Sequence, residues 1–182
     1  MKSFAIIILG LVTIFSRPAF AISEPAQVDS DWQARSQATA TWMWLDIYDA
    51  TLFTQPDFNP SKLLADDQAL KLKLCYLKPI GREDLIKGAE AVLDKDLNSE
   101  LKQAVNALHQ RYVDVKPGDC YVLEYSPEEG TQLKLNDQLA FETKLNGFKS
   151  VYFGIWLGQK PLSDSLKESL VTPLEKGSEP LS

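Results

Sequence analysis

The sequence is poor in the groups that carry chemistry. It has a single histidine, His109, in 182 residues. A Ser–His–Asp device would have to recruit that residue, and no Gly-x-Ser-x-Gly elbow is present to offer a serine. His109 has no Cys, Asp or Glu at ligand spacing, so no metal site is expected on it. It falls beside the apolar stripe of a helical segment, and we expect it near solvent. No glycine-rich phosphate loop occurs. The adjacent acids Glu83-Asp84 and Glu128-Glu129 read as helix-dipole partners and turn charges rather than an acid–base pair. No catalytic residue and no cofactor is indicated. Positive charge is short as well. Lys and Arg number 19 against 25 Asp and Glu, for a formal net charge of −6. A chain this acidic is repelled by phosphate backbones and anionic lipid surfaces, so nucleic acid is not an expected partner.

Long apolar runs are scarce, with one exception at the start. Met1-Lys2 precedes an apolar run from Phe4 to Phe15, which ends at Ala19-Phe20-Ala21. A basic start, a short apolar run and a small-x-small end are the three parts of a cleavable export signal. The run is shorter than the roughly 20 residues that span a bilayer. Cleavage after Ala21 would leave 161 residues beginning at Ile22 and would remove Lys2 and Arg17, taking the charge from −6 to −8. We expect a periplasmic or secreted protein with no transmembrane segment after cleavage. Its length suits one domain.

Cysteines are few, Cys75 and Cys120. An oxidising compartment would let a bond between them persist. Both lie in strand-like segments, a geometry that often holds Cα atoms too far apart. Two separate thiols are expected, with a Cys75–Cys120 disulfide as the alternative.

The stretch richest in strand formers is Thr41–Phe53, read as one strand. Alternation sends Trp42, Trp44, Asp46 and Tyr48 one way and Thr41, Met43, Leu45 and Ile47 the other. Ala69–Leu77 alternates cleanly, with Leu70, Leu72, Leu74 and Tyr76 on one face and Lys71, Lys73 and Cys75 on the other. One face packed and one wet is the mark of an antiparallel sheet. Arg82–Lys95 and Glu100–Tyr112 carry helical stripes, the second capped by Asn98 or Ser99. Cys120–Tyr125 returns to strand. Gln132–Leu135 and Leu139–Thr143 form a hairpin around Asn136-Asp137. Val151–Leu157 is too uniformly apolar for periodicity to separate helix from strand. A last helix, capped by Ser163 or Asp164, includes Leu166, Leu170 and Val171. Residues 22–40 read as a flexible lead-in, with Trp32–Thr39 open between an edge strand and a turn of helix. Residues 172–182 read as a disordered tail. The fold class is α+β: an antiparallel sheet with a layer of helices.

Four segments in this order carry a resemblance: WLDIYDATLF, LKLCYLKPIGREDLIKGAEAVL, VKPGDCYVLEYSPEEGTQLKLND and FKSVYFGIWLG. Together they resemble exported bacterial members of the chalcone isomerase-like family, over about Thr41–Val171. The resemblance implies an open-faced antiparallel β-sheet with helices on one face. It also implies one of two activities. Plant isomerases cyclise chalcones to flavanones, and non-catalytic relatives bind fatty acids between helices and sheet. The isomerase set is not matched. Its arginine would have to be Arg35, without the accompanying glycine, and the place of its tyrosine falls in Gly81–Leu85, which holds Arg82, Glu83, Asp84 and Leu85. The resemblance therefore favours a non-catalytic domain binding a small amphipathic ligand, such as a fatty acid. Trp44, Tyr48 and Tyr76 would line the site, and Arg35 would pair with a carboxylate through its forked donors. An intramolecular lyase of the isomerase type and a protein-interaction module without a ligand are the alternatives.

Overall fold

The computed structural model of the chain describes residues 32–177 and 179–181. The expected export signal, Met1–Ala21, and residues 22–31 of the expected lead-in lie outside the described residues. Six strands form one antiparallel meander: β1 (Gln33–Trp42), β2 (Leu45–Thr54), β3 (Leu70–Tyr76), β4 (Cys120–Ser126), β5 (Gly130–Leu135) and β6 (Gln138–Thr143). Sequence neighbours are sheet neighbours throughout. Four helices, α1 (Arg82–Glu90), α2 (Ser99–His109), α3 (Phe148–Leu157) and α4 (Asp164–Glu175), complete the α+β domain.

The alternation of β3 fixes which face is covered. Leu70, Leu72, Leu74 and Tyr76 are buried, opposite Thr54, Leu52, Ala50 and Tyr48 of β2. Paired residues share a face, so these rows, with Tyr121 and Leu123 of β4, make the floor on which the helices lie. Lys71 lies on the other face. There its ammonium is 3.3 Å from Glu124 and 4.4 Å from the Trp32 ring centre. The Asn98 side chain accepts from the Leu101 amide at 2.8 Å and starts α2, and Ser163 does the same for α4 through the Leu166 amide. α3 is the helical answer to the ambiguous Val151–Leu157 run. Phe148, Tyr152 and Trp156, four residues apart, stack along its inner side.

Several expectations change. Thr41–Phe53 is not one strand. The chain turns at Met43 and Trp44, both at positive φ (43° and 61°), and β1 and β2 pair from Trp42↔Leu45 onward. Two positive-φ residues between paired strands form the tight turn that matches sheet twist. Glycine and asparagine favour that geometry, and this chain places neither there. A side chain in the left-handed region costs roughly 1–2 kcal/mol per residue.

Residues 33–40 are not a flexible lead-in; of the two readings left open for Trp32–Thr39 the edge strand holds, as the body of β1, where Ser36 donates to the Leu170 carbonyl of α4 at 2.6 Å. Residues 172–175 are not tail but the last turn of α4, with Leu174 buried. The Leu181 amide donates to the Ala34 carbonyl, so this segment returns to the edge of β1. Cys75 and Cys120 are bonded, not separate thiols. They face each other across β3–β4 with Cα atoms 4.1 Å apart, the close approach of an antiparallel pair without mutual hydrogen bonds. His109 is buried rather than near solvent. It lies between Tyr112 and Tyr152, with ring centres 6.1 and 6.0 Å away.

A bulge sets the phase of the first hairpin. Ala40 pairs with Tyr48 but Thr41 pairs with Asp46, so Ile47 is an extra residue on β2. Thr39 and Thr41 donate to Asp49 and Asp46 on the open side of the sheet. Beyond the bulge, Trp42 and Leu45 return to the side of Ala40 and Tyr48, the helix side.

Candidate functional site

Between the sheet floor and the helices lies a cavity of about 140 Å³. Tyr48 and Tyr76 form its sheet side. Tyr112, after α2, and Ile155 and Trp156 of α3 form its roof, while Leu85, Ala89 and Asp84 of α1 and Leu162 reach its edge. A larger depression lies elsewhere. It is a groove of about 750 Å³ between residues 91–97 and α3, open to solvent and bordered by Asp94, Lys95, Gln159 and Lys160. No buried polar side chain among its lining residues points to a ligand there, so the smaller cavity, lined by buried tyrosines, is the candidate site.

Its chemistry is phenolic. The Trp156 indole donates to the Tyr48 hydroxyl at 3.0 Å, and the Tyr152 hydroxyl donates to that of Tyr112 at 2.9 Å. Tyr48 and Tyr112 therefore accept a bond, and each keeps its own O–H. The Tyr76 hydroxyl donates to no described residue and is reached by solvent, the one buried side-chain atom without a partner among the described residues being His109 Nε2. Three O–H donors on one cavity thus have no acceptor among the described residues. Burial raises the pKa of all three above the usual phenol value, Tyr76 and Tyr112 well above it. The hydroxyls stay protonated at neutral pH and act as donors, not as phenolate bases. Edge-to-face packing fixes the rings, with centres 5.7 Å apart for Tyr48–Tyr76, 6.3 Å for Tyr76–Tyr121 and 5.0 Å for Tyr112–Tyr121. The Tyr121 hydroxyl is occupied, accepting from the Val113 amide at 3.0 Å.

The cavity brings together two of the four residues expected to bind ligand, Tyr48 and Tyr76. Trp44 stands on the β1–β2 turn with 84% of its surface exposed, and does not line the cavity. Arg35 sits toward the opposite end of β1, donating to the Gln33 side chain at 3.2 Å, and does not line it either. Trp156 belongs to the aromatic residues that a sequence reading offers for a helix-covered pocket, while Tyr112 does not. Tyr112 was visible only as the end of the α2 stripe.

Two further buried ionisable groups lie outside the cavity. Lys149 donates to the carbonyls of Ala65 and Gln68 and lies over the Tyr125 ring, and burial lowers its pKa to about 8. It fastens the β2–β3 connection to α3. His109 has a buried Nε2 with no partner, and burial lowers its pKa. Among the described residues no group of three or more His, Cys, Asp and Glu could hold a metal.

The fold is shared with solved structures. An Arabidopsis thaliana fatty-acid binding protein superposes with a TM-score of 0.62 at 11% identity, over 85% of this chain and 94% of that one. At that identity the likeness speaks to the fold. No curated protein sequence matches the chain. Residues 30–172 match the chalcone isomerase-like family model, which spans the sheet, the cavity and all but the end of α4, and the chain therefore belongs to the chalcone isomerase-like family.

Proposed function

We propose that this domain is a non-catalytic binder of a small amphipathic molecule, held between α1–α3 and the sheet. The observation that carries the reading is the cavity between helices and sheet lined by Tyr48, Tyr76 and Tyr112, whose hydroxyls donate to no described residue. A ligand oxygen would replace water as the acceptor of such a donor. The walls contribute no cation, so a carbonyl, hydroxyl or protonated carboxyl suits the site better than a bare carboxylate. The size is restrictive. A cavity of roughly 150 Å³ accepts a molecule such as benzene, so 140 Å³ receives a ring or a short acyl segment. A longer chain must leave past Leu85 and Leu162. The Arabidopsis relative by fold is a fatty-acid binding protein, which supports the acyl version of the ligand.

Export belongs to the same proposal. The Cys75–Cys120 bond supports it, because such bonds persist in oxidising compartments. Intact mass of the native protein would show a chain beginning at Ile22 and lighter by two hydrogens.

The ligand reading is tested by native mass spectrometry of protein purified without detergent, followed by titration with saturated fatty acids and the matching alcohols while the emission of the four tryptophans is compared with that of Trp156→Phe. A releasable added mass, and binding weakened about five- to tenfold in Tyr76→Phe, are expected from one lost hydrogen bond. No emission change and no rise in melting temperature with any chain length would end it.

A further inference from the structure

The tip of the β1–β2 hairpin has the opposite character to the rest of this polar surface. Trp42, Met43, Trp44 and Leu45 are consecutive and exposed, at 66%, 56%, 84% and 46%. Met43 is the only methionine besides Met1. The turn needs positive φ at both central residues, and the chain fills both with large apolar side chains. Strain kept at such a position, with the side chains in water, points to a role for those side chains.

The shape and phase of the tip indicate what it meets. The Ile47 bulge directs Trp42 and Leu45 to the cavity side of the hairpin, while Asp46 and Asp49 lie on the other side, held by Thr41 and Thr39. Two more exposed leucines belong to the same end: Leu77, whose amide bonds the Ile47 carbonyl at 2.8 Å, and Leu162 at the cavity edge. The apolar strip therefore runs from the tip to the cavity mouth. It is convex, built on a two-residue turn, and carries no lysine or arginine. A convex wedge of two indoles, a thioether and a leucine suits a medium that yields, and tryptophan is the side chain that settles at the membrane–water boundary. The absence of cations on the tip, with acids on its far side, argues against an anionic surface as the attraction.

We propose that this hairpin tip inserts into the interface of a zwitterionic lipid bilayer and sets the cavity mouth against it. The contact needs no occupant in the cavity, so it stands apart from the ligand reading. The test uses vesicles of phosphatidylcholine brominated on its acyl chains, which quench tryptophans that reach the acyl region. The full chain is compared with Met43→Asn/Trp44→Gly. That replacement supplies the residues this turn favours, so it should fold at least as well. The apolar run Phe4–Phe15 is common to both proteins, and only the difference between them counts. Quenching several-fold stronger in the wild type, undiminished when phosphatidylcholine replaces all anionic lipid, is the expected result. Equal quenching in the two proteins would overturn the proposal. So would a wild-type tryptophan signal that responds to protein concentration and not to vesicles, since the tip would then be a contact between copies of the chain.

Discussion

Two hairpins of one sheet turn with the same backbone and opposite chemistry. Asn136 and Asp137, between β5 and β6, sit at φ 48° and 66°; Met43 and Trp44 sit at 43° and 61°. The first pair is what a strand-to-strand turn asks for. Asn136 also ties its turn inward, accepting from the Cys120 amide and donating to Asp119, both at 2.9 Å. The second pair has no such tie and stands in water. One turn is made for stability, and the other keeps side chains that work against it. In a single sheet this separates what folding requires from what the surface does.

The comparison can be pressed from both sides. The largest effect is expected from removing the bond beside the Asn136 turn. Cys75→Ala/Cys120→Ala opens a loop of 45 residues. It should cost about 4 kcal/mol in urea unfolding, with amide exchange rising in β3, β4 and the Asn136 turn before the Met43 turn. Next, exchanging the turn residues in one direction, Asn136→Met/Asp137→Trp, should destabilise by roughly 2–4 kcal/mol, from two left-handed side chains and a lost hydrogen bond. The reverse exchange, Met43→Asn/Trp44→Gly, should raise stability by about 1–2 kcal/mol. If both exchanges moved the urea midpoint the same way, the distinction between the turns would be wrong.

The smallest effect is a control distant from either turn. His109 has its pKa lowered by burial, with Glu90 opposing and Arg82 adding to the shift. The unfolded chain then binds the proton more readily than the folded one. Stability is fully present above the ordinary value of about 6.5 and is lost as pH falls below it toward the folded value. The urea midpoint of the wild type should decline across that window, and that of His109→Gln should decline less. Equal slopes would show that His109 does not carry the dependence.

Local pattern made much of this fold readable. The alternation of Leu70, Leu72, Leu74 and Tyr76, the cap at Asn98 and the Asn136-Asp137 turn are signals confined to a few residues, and each lies where the sequence placed it. What was hidden needed partners far away in the chain. The Met43-Trp44 turn contains no turn-forming residue, so nothing local interrupts Thr41–Phe53, and pairing with β1 makes the bend. The disulfide depends on the register of β3 against β4, which the sequence does not state. In the site, Tyr48 and Tyr76 were visible because strand alternation marks a buried row. Tyr112, just after α2, and Trp156 of α3 are far apart in the chain, and only packing brings them to the same cavity. Arg35 was placed there by analogy alone, and the geometry of β1 puts it at the wrong end.

The path of the chain between β3 and β4 has a mechanical consequence. Everything from Leu77 to Asp119, including α1 and α2, leaves the sheet and returns through one neck. Two clamps close it, the Cys75–Cys120 bond and the reciprocal pair of backbone bonds between Ile80 and Val115. Apart from bonds at its two ends, among them Leu77 to Ile47 and Asp119 to Tyr76, the loop takes no part in the sheet's backbone ladder. The helix pair is joined to the rest of the domain covalently and by backbone bonds at this neck, and beyond it by packing and by the Val113–Tyr121 and Tyr112–Tyr152 bonds. Leu85, Ala89 and Tyr112 on one side and Tyr48 and Tyr76 on the other thus border the cavity from two parts of the chain joined at a single neck.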